Sequence, residues 1–285
     1  MINILLAILC SSLLYIVFKG FSKFSVNTFQ AILVNYIVAF VLGSFLSETQ
    51  ISFVEIPKKE WFPYSLILGF LFITVFYIIA KTTQINGLTV ASVASKMSMI
   101  IPISYGILIF NEKATHVHLV GISVALFAVF FVSIKPNQKI NLSHFQLPIL
   151  LFIGAGTIDT LINITQHKYL NNNETAQFSA VTFLTAFSFG LLFTLVKRVK
   201  SNISFNFKDI LGGVALGIPN YFSLYYLTKA LQTENMESPT IFTILNIGVI
   251  LFTTIVGILF FKEKLSPKNY FGISLALLAL FLVTQ

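Results

Sequence analysis

The chain has 285 residues, of which 56% are hydrophobic and only 10% charged, and its mean hydropathy is +0.88. Soluble domains carry about 25% charged residues, so this chain has too little polar surface to cover a water-soluble globule, and lipid is its main solvent. The net charge of +8 resides mainly in short connectors between apolar runs, with no basic cluster interleaved with stacking aromatics, which excludes a nucleic-acid-binding reading.

A helix needs about 20 apolar residues to cross a hydrocarbon core of ~30 Å. Ten such runs follow one another, near residues 2–19, 27–46, 62–82, 88–110, 115–134, 147–166, 175–196, 207–228, 239–261 and 267–284. The first lacks a positively charged leader and a small-residue cleavage site, so it reads as a retained helix. The longest connectors, 47–61, 135–146 and 197–206, are too short for a soluble domain. The runs are apolar throughout and do not alternate at period two, which argues against a β-barrel. The predicted fold is an all-α integral membrane protein of ten transmembrane helices.

Polar residues inside these runs are the candidates for chemistry. In chain order they begin with Asn35 and Tyr36 in the second run and Tyr77 in the third. Lys96 follows in the fourth, within SVASKMSMIIPISYG. A charge at bilayer depth costs at least about 2.5–3.5 kcal/mol. Ser92 lies one turn earlier and Ser95 immediately before it, and Ala91, Ala94 and Ser98 leave room around the amine. Lys96 thus reads as a cation facing a cavity, ready for an anionic group or a proton; the alternative is a structural pair between two helices.

The sixth run carries Asp159, the one acidic residue deep in an apolar stretch, with Asn163 and Gln166 on the same stripe. It is the natural partner of Lys96, binding solute or a coupling proton, or simply neutralising the amine. Asn220 and Tyr221 follow Pro219 in the eighth run, and Asn246 lies in the ninth. Singly, each of these reads as an ordinary interhelical hydrogen bond. Together they favour a lining for a polar or amphipathic solute. Gly213 and Gly217 suit close helix packing. His116 and His118 form a loop HVH, weak evidence for metal, and the lone Cys10 matches no metal-ligand spacing. Neither cofactor nor metal is expected, and no hydrolase or nucleotide-binding motif is present, which argues against an enzyme.

The chain repeats itself. Residues 106–133 match residues 257–284 at 14 of 28 positions, including a Glu-Lys pair (Glu112-Lys113, Glu263-Lys264) and a Gly-Ile-Ser in register. Tyr77, Lys81 and Gln84 recur as Tyr225, Lys229 and Gln232. The predicted organisation is a first five-helix repeat at 1–134, a connector at 135–146 and a second repeat at 147–285. An odd number of helices per half inverts the second half in the membrane, the layout many secondary transporters use.

Two repeats, each with a helix ending in Glu-Lys, a short loop and a Gly-led helix (Gly121, Gly272), together with Pro102 ten residues before the glutamate, resemble the EamA-type members of the drug/metabolite transporter superfamily. Thr253 stands where the second half would repeat that proline. The resemblance implies a multi-pass transporter of small organic solutes in the cytoplasmic membrane of a bacterium. Its partners would be the bilayer and a small-molecule substrate, with protons as candidate coupling ion, and it would be a monomer or homodimer. The expected activity is export of a small metabolite or amphipathic compound by alternating access; a translocase of a lipid-linked substrate and a non-transporting ligand-binding membrane protein are the alternatives. The Glu-Lys pairs read as structural, either loop ion pairs or caps for neighbouring helices.

The resemblance also implies a cytoplasmic N-terminus. In that orientation twelve Lys and Arg fall outside and five inside, contrary to the positive-inside rule, so the sequence leaves orientation open.

Overall fold

The computed structural model describes residues 1–46, 54–109, 116–134, 144–170, 174–198, 206–231 and 238–283. Among them the elements are helices, with no strand: α1 (Ile2–Phe24), α2 (Thr28–Leu46), a short 3-10 turn (Ile56–Lys58), α3 (Phe62–Ile85), α4 (Leu88–Met97), α5 (Ile100–Ile109), α6 (His116–Ser133), α7 (Gln146–Tyr169), α8 (Thr175–Arg198), α9 (Phe207–Leu231), α10 (Ser238–Phe261) and α11 (Pro267–Val283). A helix satisfies its backbone groups internally, which hydrocarbon requires. Eight stretches among the described residues are long and apolar enough to cross a membrane, with α4 and α5 together making one of them, Leu88–Tyr105. The apolar α6 and α11 are shorter. Large apolar side chains such as Phe127 (60%), Leu259 (67%) and Phe260 (76%) stand exposed, as a lipid-solvated surface demands.

The fourth run is two helices, not one. Pro102 has no N–H to offer the carbonyl of Ser98, four residues back. That carbonyl instead accepts from Ile101 N–H at 2.9 Å, a tighter three-residue step, and the helix breaks at Ser98–Met99.

The described chain forms two compact units. Unit 1 comprises Met1–Gly20, Ile78–Thr157 and Phe222–Gln285; unit 2 comprises Phe21–Tyr77 and Ile158–Tyr221. Each therefore draws on both halves of the sequence.

In unit 1, α6 lies against α11 with a two-fold relation that echoes the sequence repeat. A Cβ on Gly121 would stand 2.5 Å from Val283 Cγ2, and one on Gly272 would stand 2.6 Å from the backbone nitrogen of Val132. Gly272 and Val283 are the counterparts of Gly121 and Val132 at the repeat offset of 151 residues. Ser266 and Asn269 form a capping box at the start of α11: Asn269 Oδ1 accepts from Ser266 N–H at 2.8 Å and Ser266 Oγ from Asn269 N–H at 3.3 Å. Asn269 Nδ2 then donates to the carbonyls of Val132 and Ile134 at 2.8 Å, closing the open end of α6.

In unit 2, Tyr36 packs among Phe72, Phe76 and Phe183, with ring centroids 6.5, 5.4 and 6.2 Å away. The glycines of α9 let it approach α2 closely: a Cβ on Gly213 would stand 2.7 Å from the Ala31 carbonyl, and one on Gly217 2.9 Å from that of Asn35. Asp209 holds two helix starts together. Its Oδ1 accepts from Asn27 N–H at 2.7 Å and its Oδ2 from Asn206 N–H at 3.2 Å, while Asn27 Oδ1 accepts from the first N–H groups of α2.

Candidate functional site

The candidate residues of unit 1 are organised by α4. Gly87, at φ +110°, turns the chain out of α3 and into α4, a conformation that only glycine adopts readily. The exposed N–H groups that begin α4 meet the carboxylate of Glu263, which comes from the turn after α10. Leu88 N–H donates to Glu263 Oε1 at 2.6 Å, and the Thr89 hydroxyl to Oε2 at 3.3 Å. An anion at a helix N-terminus satisfies orphan donors and the helix dipole at once. Lys19 of α1 completes the junction: its ammonium lies 3.5 Å from Glu263 Oε1 and donates to the Thr83 carbonyl at 3.1 Å. A cavity of about 140 Å³ opens beside it, lined by Lys19, Asn86, Val90, Ser133, Glu263 and Lys264 among others. Asn86 Oδ1 is buried there with no hydrogen-bond partner among the described residues.

Farther along α4, Ser92 is fully buried and accepts a 2.8 Å hydrogen bond from the Thr253 hydroxyl of α10. Asn246 Nδ2 of α10 donates to Met99 Sδ at 3.3 Å, at the helix break. Two residues expected to line a cavity thus clasp α4 to α10. Lys96 sits half-buried in the last turn of α4, one residue before its end. A helix C-terminus carries partial negative charge, which suits an ammonium there. Gly156 of α7 lies against this break, and a Cβ on it would stand 2.8 Å from the Ser98 carbonyl.

Unit 2 holds the other candidates. Asn35 and Asn220 are brought together and buried, with Asn220 Nδ2 donating to Asn35 Oδ1 at 3.1 Å. Asn35 Nδ2 and the Tyr36 hydroxyl are buried with no hydrogen-bond partner among the described residues. Pro219, just before Asn220, interrupts the hydrogen-bond ladder inside α9. Tyr221 packs its ring on α2 at Gly43, where a Cβ would stand 3.4 Å from Tyr221 Cε2. Tyr77 is exposed and meets Phe29 edge-on at 6.2 Å. Asp159, Asn163 and Gln166 are all exposed along one stripe of α7, a polar face on an otherwise apolar helix. Lys96 belongs to unit 1 and Asp159 to unit 2.

Sequence reasoning missed the helix break beside Lys96, although Pro102 signalled it, and the junction roles of Lys19, Thr253, Asn269 and Asp209. Glu112 and Lys113 lie outside the described residues. No group of three or more His, Cys, Asp or Glu able to hold a metal occurs among the described residues.

The sequence profile of the EamA-like transporter family matches residues 1–134 and 146–285, two copies that span nearly the whole chain. The chain belongs to the EamA-like transporter family. An uncharacterised protein of Haemophilus influenzae is 31% identical over 286 residues, covering 98% of this chain and 96% of its own length. A protein of known crystal structure superposes with a TM-score of 0.61 at 13% identity, covering 99% of this chain and 95% of that one, a likeness of fold alone. As an EamA-like protein the chain is a multi-pass membrane protein of a family of small-solute transporters.

Proposed function

We propose that this EamA-like chain crosses the cytoplasmic membrane ten times as two inverted five-helix repeats, and exports a small metabolite or amphipathic solute by alternating access. The observation that carries the reading is the broken fourth span: a cation, Lys96, placed at the end of α4 where Ser98–Met99 interrupts the helix. Transporters build solute sites from such discontinuous helices, where backbone groups and helix ends point at the cargo.

In this reading Lys96, in unit 1, engages an anionic group of the solute or a coupling proton, and Asp159, in unit 2, is a second candidate for the coupling proton. The exposed α7 stripe of Asp159 and Asn163 supports a water-filled lining, because a carboxylate turned toward hydrocarbon would be expensive. The Asn35–Asn220 pair, with Tyr77 and Tyr221, contributes neutral hydrogen-bonding and aromatic surface. Ser92 and Asn246 support the site by fixing α4 on α10. The test is an untargeted comparison of growth-medium metabolites between cells that express the chain and cells that carry an empty vector. A compound that accumulates or disappears with expression supports transport; indistinguishable media at verified membrane expression contradict it.

A further inference from the structure

We infer that the ends of the helices at the Glu263 junction face the cytoplasm, so that both chain termini lie on the outer side, the reverse of the orientation the family resemblance implies. This rests on the ten crossings proposed above.

Within unit 1 the structure gathers one set of helix ends: Lys19 of α1 bonds the end of α3 at Thr83, Glu263 after α10 caps the start of α4, and Asn269 of α11 caps the end of α6. This end is strongly basic. Lys262, Lys264 and Lys268 are all exposed in the α10–α11 turn and the start of α11. Glu263 lies among them, and its carboxylate is committed to α4 and Lys19.

Unit 2 independently sorts its connectors. The α1–α2 turn and the start of α9 meet through Asp209 and Asn27, and they carry the exposed Lys23 and Lys208. The opposite connectors meet through Lys59 and Glu174 at 2.7 Å, where lysine is matched by acid.

Alternating connectors along the chain repeat this division. The set that contains Lys19 and Lys264 holds twelve Lys and Arg and two acidic residues; the other set holds five and seven. Connectors rich in Lys and Arg stay on the cytoplasmic side, where anionic headgroups attract each such charge by about 1 kcal/mol near the surface. The basic ends of the helices therefore rest against the negatively charged cytoplasmic leaflet.

The test uses the full chain with Cys10→Ser as background and single cysteines at two exposed positions, Lys58→Cys and Lys268→Cys, labelled with a membrane-impermeant maleimide. In intact cells Lys58→Cys is expected to label, and Lys268→Cys to label only after permeabilisation; Lys264→Cys serves as a second reporter of the basic end. The opposite pattern overturns the orientation and leaves ten crossings standing. Both cysteines labelling from one side only would instead overturn the crossing number. Partial labelling of each in intact cells would mean two coexisting orientations and would also overturn the inference.

Discussion

The carboxylate of Glu263 accepts a hydrogen bond from Leu88 N–H at 2.6 Å, so the turn after α10 provides the cap for α4. The cap comes from 175 residues away in sequence, and it anchors the same helix that ends at Lys96. Glu263→Ala leaves the first donors of α4 unmet and removes the carboxylate beside Lys19, which keeps the Thr83 carbonyl. The expected loss is about 0.5–2 kcal/mol, seen as a lower thermal midpoint in detergent, and Glu263→Gln should lose less because its amide oxygen still accepts. A midpoint unchanged by Glu263→Ala would contradict the capping role.

The α6–α11 contact makes a sharper prediction. Gly272 has backbone, the Val132 nitrogen, 2.6 Å from where a Cβ would go, and backbone cannot rotate aside. Gly272→Ala should therefore destabilise by about 1–3 kcal/mol. Its counterpart Gly121 faces the Val283 methyl first, so Gly121→Ala should cost less. Equal midpoints for the two variants would show that the contact is looser than described.

Much of this architecture was legible in the sequence, because a helix that must cross lipid is written as an apolar run, and a duplicated contact as a repeated Gly-Ile-Ser. The Glu-Lys pair was readable as a helix cap in kind, though the helix it caps was not. The contacts of Glu263 with Leu88, Asp209 with Asn27 and Asn269 with Ile134 span 175, 182 and 135 residues, and single-sequence periodicity carries no information at that range. The site was less legible for a related reason. Ser92 and Asn246 read as polar groups inside apolar runs, and their bonds to Thr253 and Met99, 161 and 147 residues away, carry no local signal. Pro102 announced the break next to Lys96, yet the apolar run hid it by continuing unbroken on either side.

Lys262 sits at φ +53° just after α10, a left-handed conformation that costs a side chain about 1–2 kcal/mol. Lys262→Gly should relieve most of that and raise the thermal midpoint slightly, provided Glu263 still reaches α4. A lowered midpoint would mean that the Lys262 side chain contributes more than its backbone strain removes.

The Lys59–Glu174 pair lies outside the spanning segments, and its pH dependence has a definite sign. The hydrogen bond and the charge of Glu174 hold the Lys59 ammonium above its ordinary range, with a smaller contribution from Glu55. A raised folded-state value stabilises fully below the ordinary lysine value of about 10.4, and the contribution disappears as pH rises through the folded-state value. Thermal midpoints of the native chain and Lys59→Met should therefore differ by a constant amount from pH 7 to 9 and converge in more alkaline solution. A difference that instead vanished as pH fell toward 7 would contradict the pairing.

The central claim is that Lys96 acts on the transported solute. Cells expressing the native chain or Lys96→Ala at matched membrane levels should be compared by untargeted analysis of the growth medium, with the thermal midpoint of each purified protein measured in parallel. The account predicts that any compound whose level follows the native chain returns to the empty-vector value in Lys96→Ala, while the midpoints stay close. Unchanged transport in the variant, or lost transport matched by a collapsed midpoint, would make Lys96 a structural residue and contradict the claim.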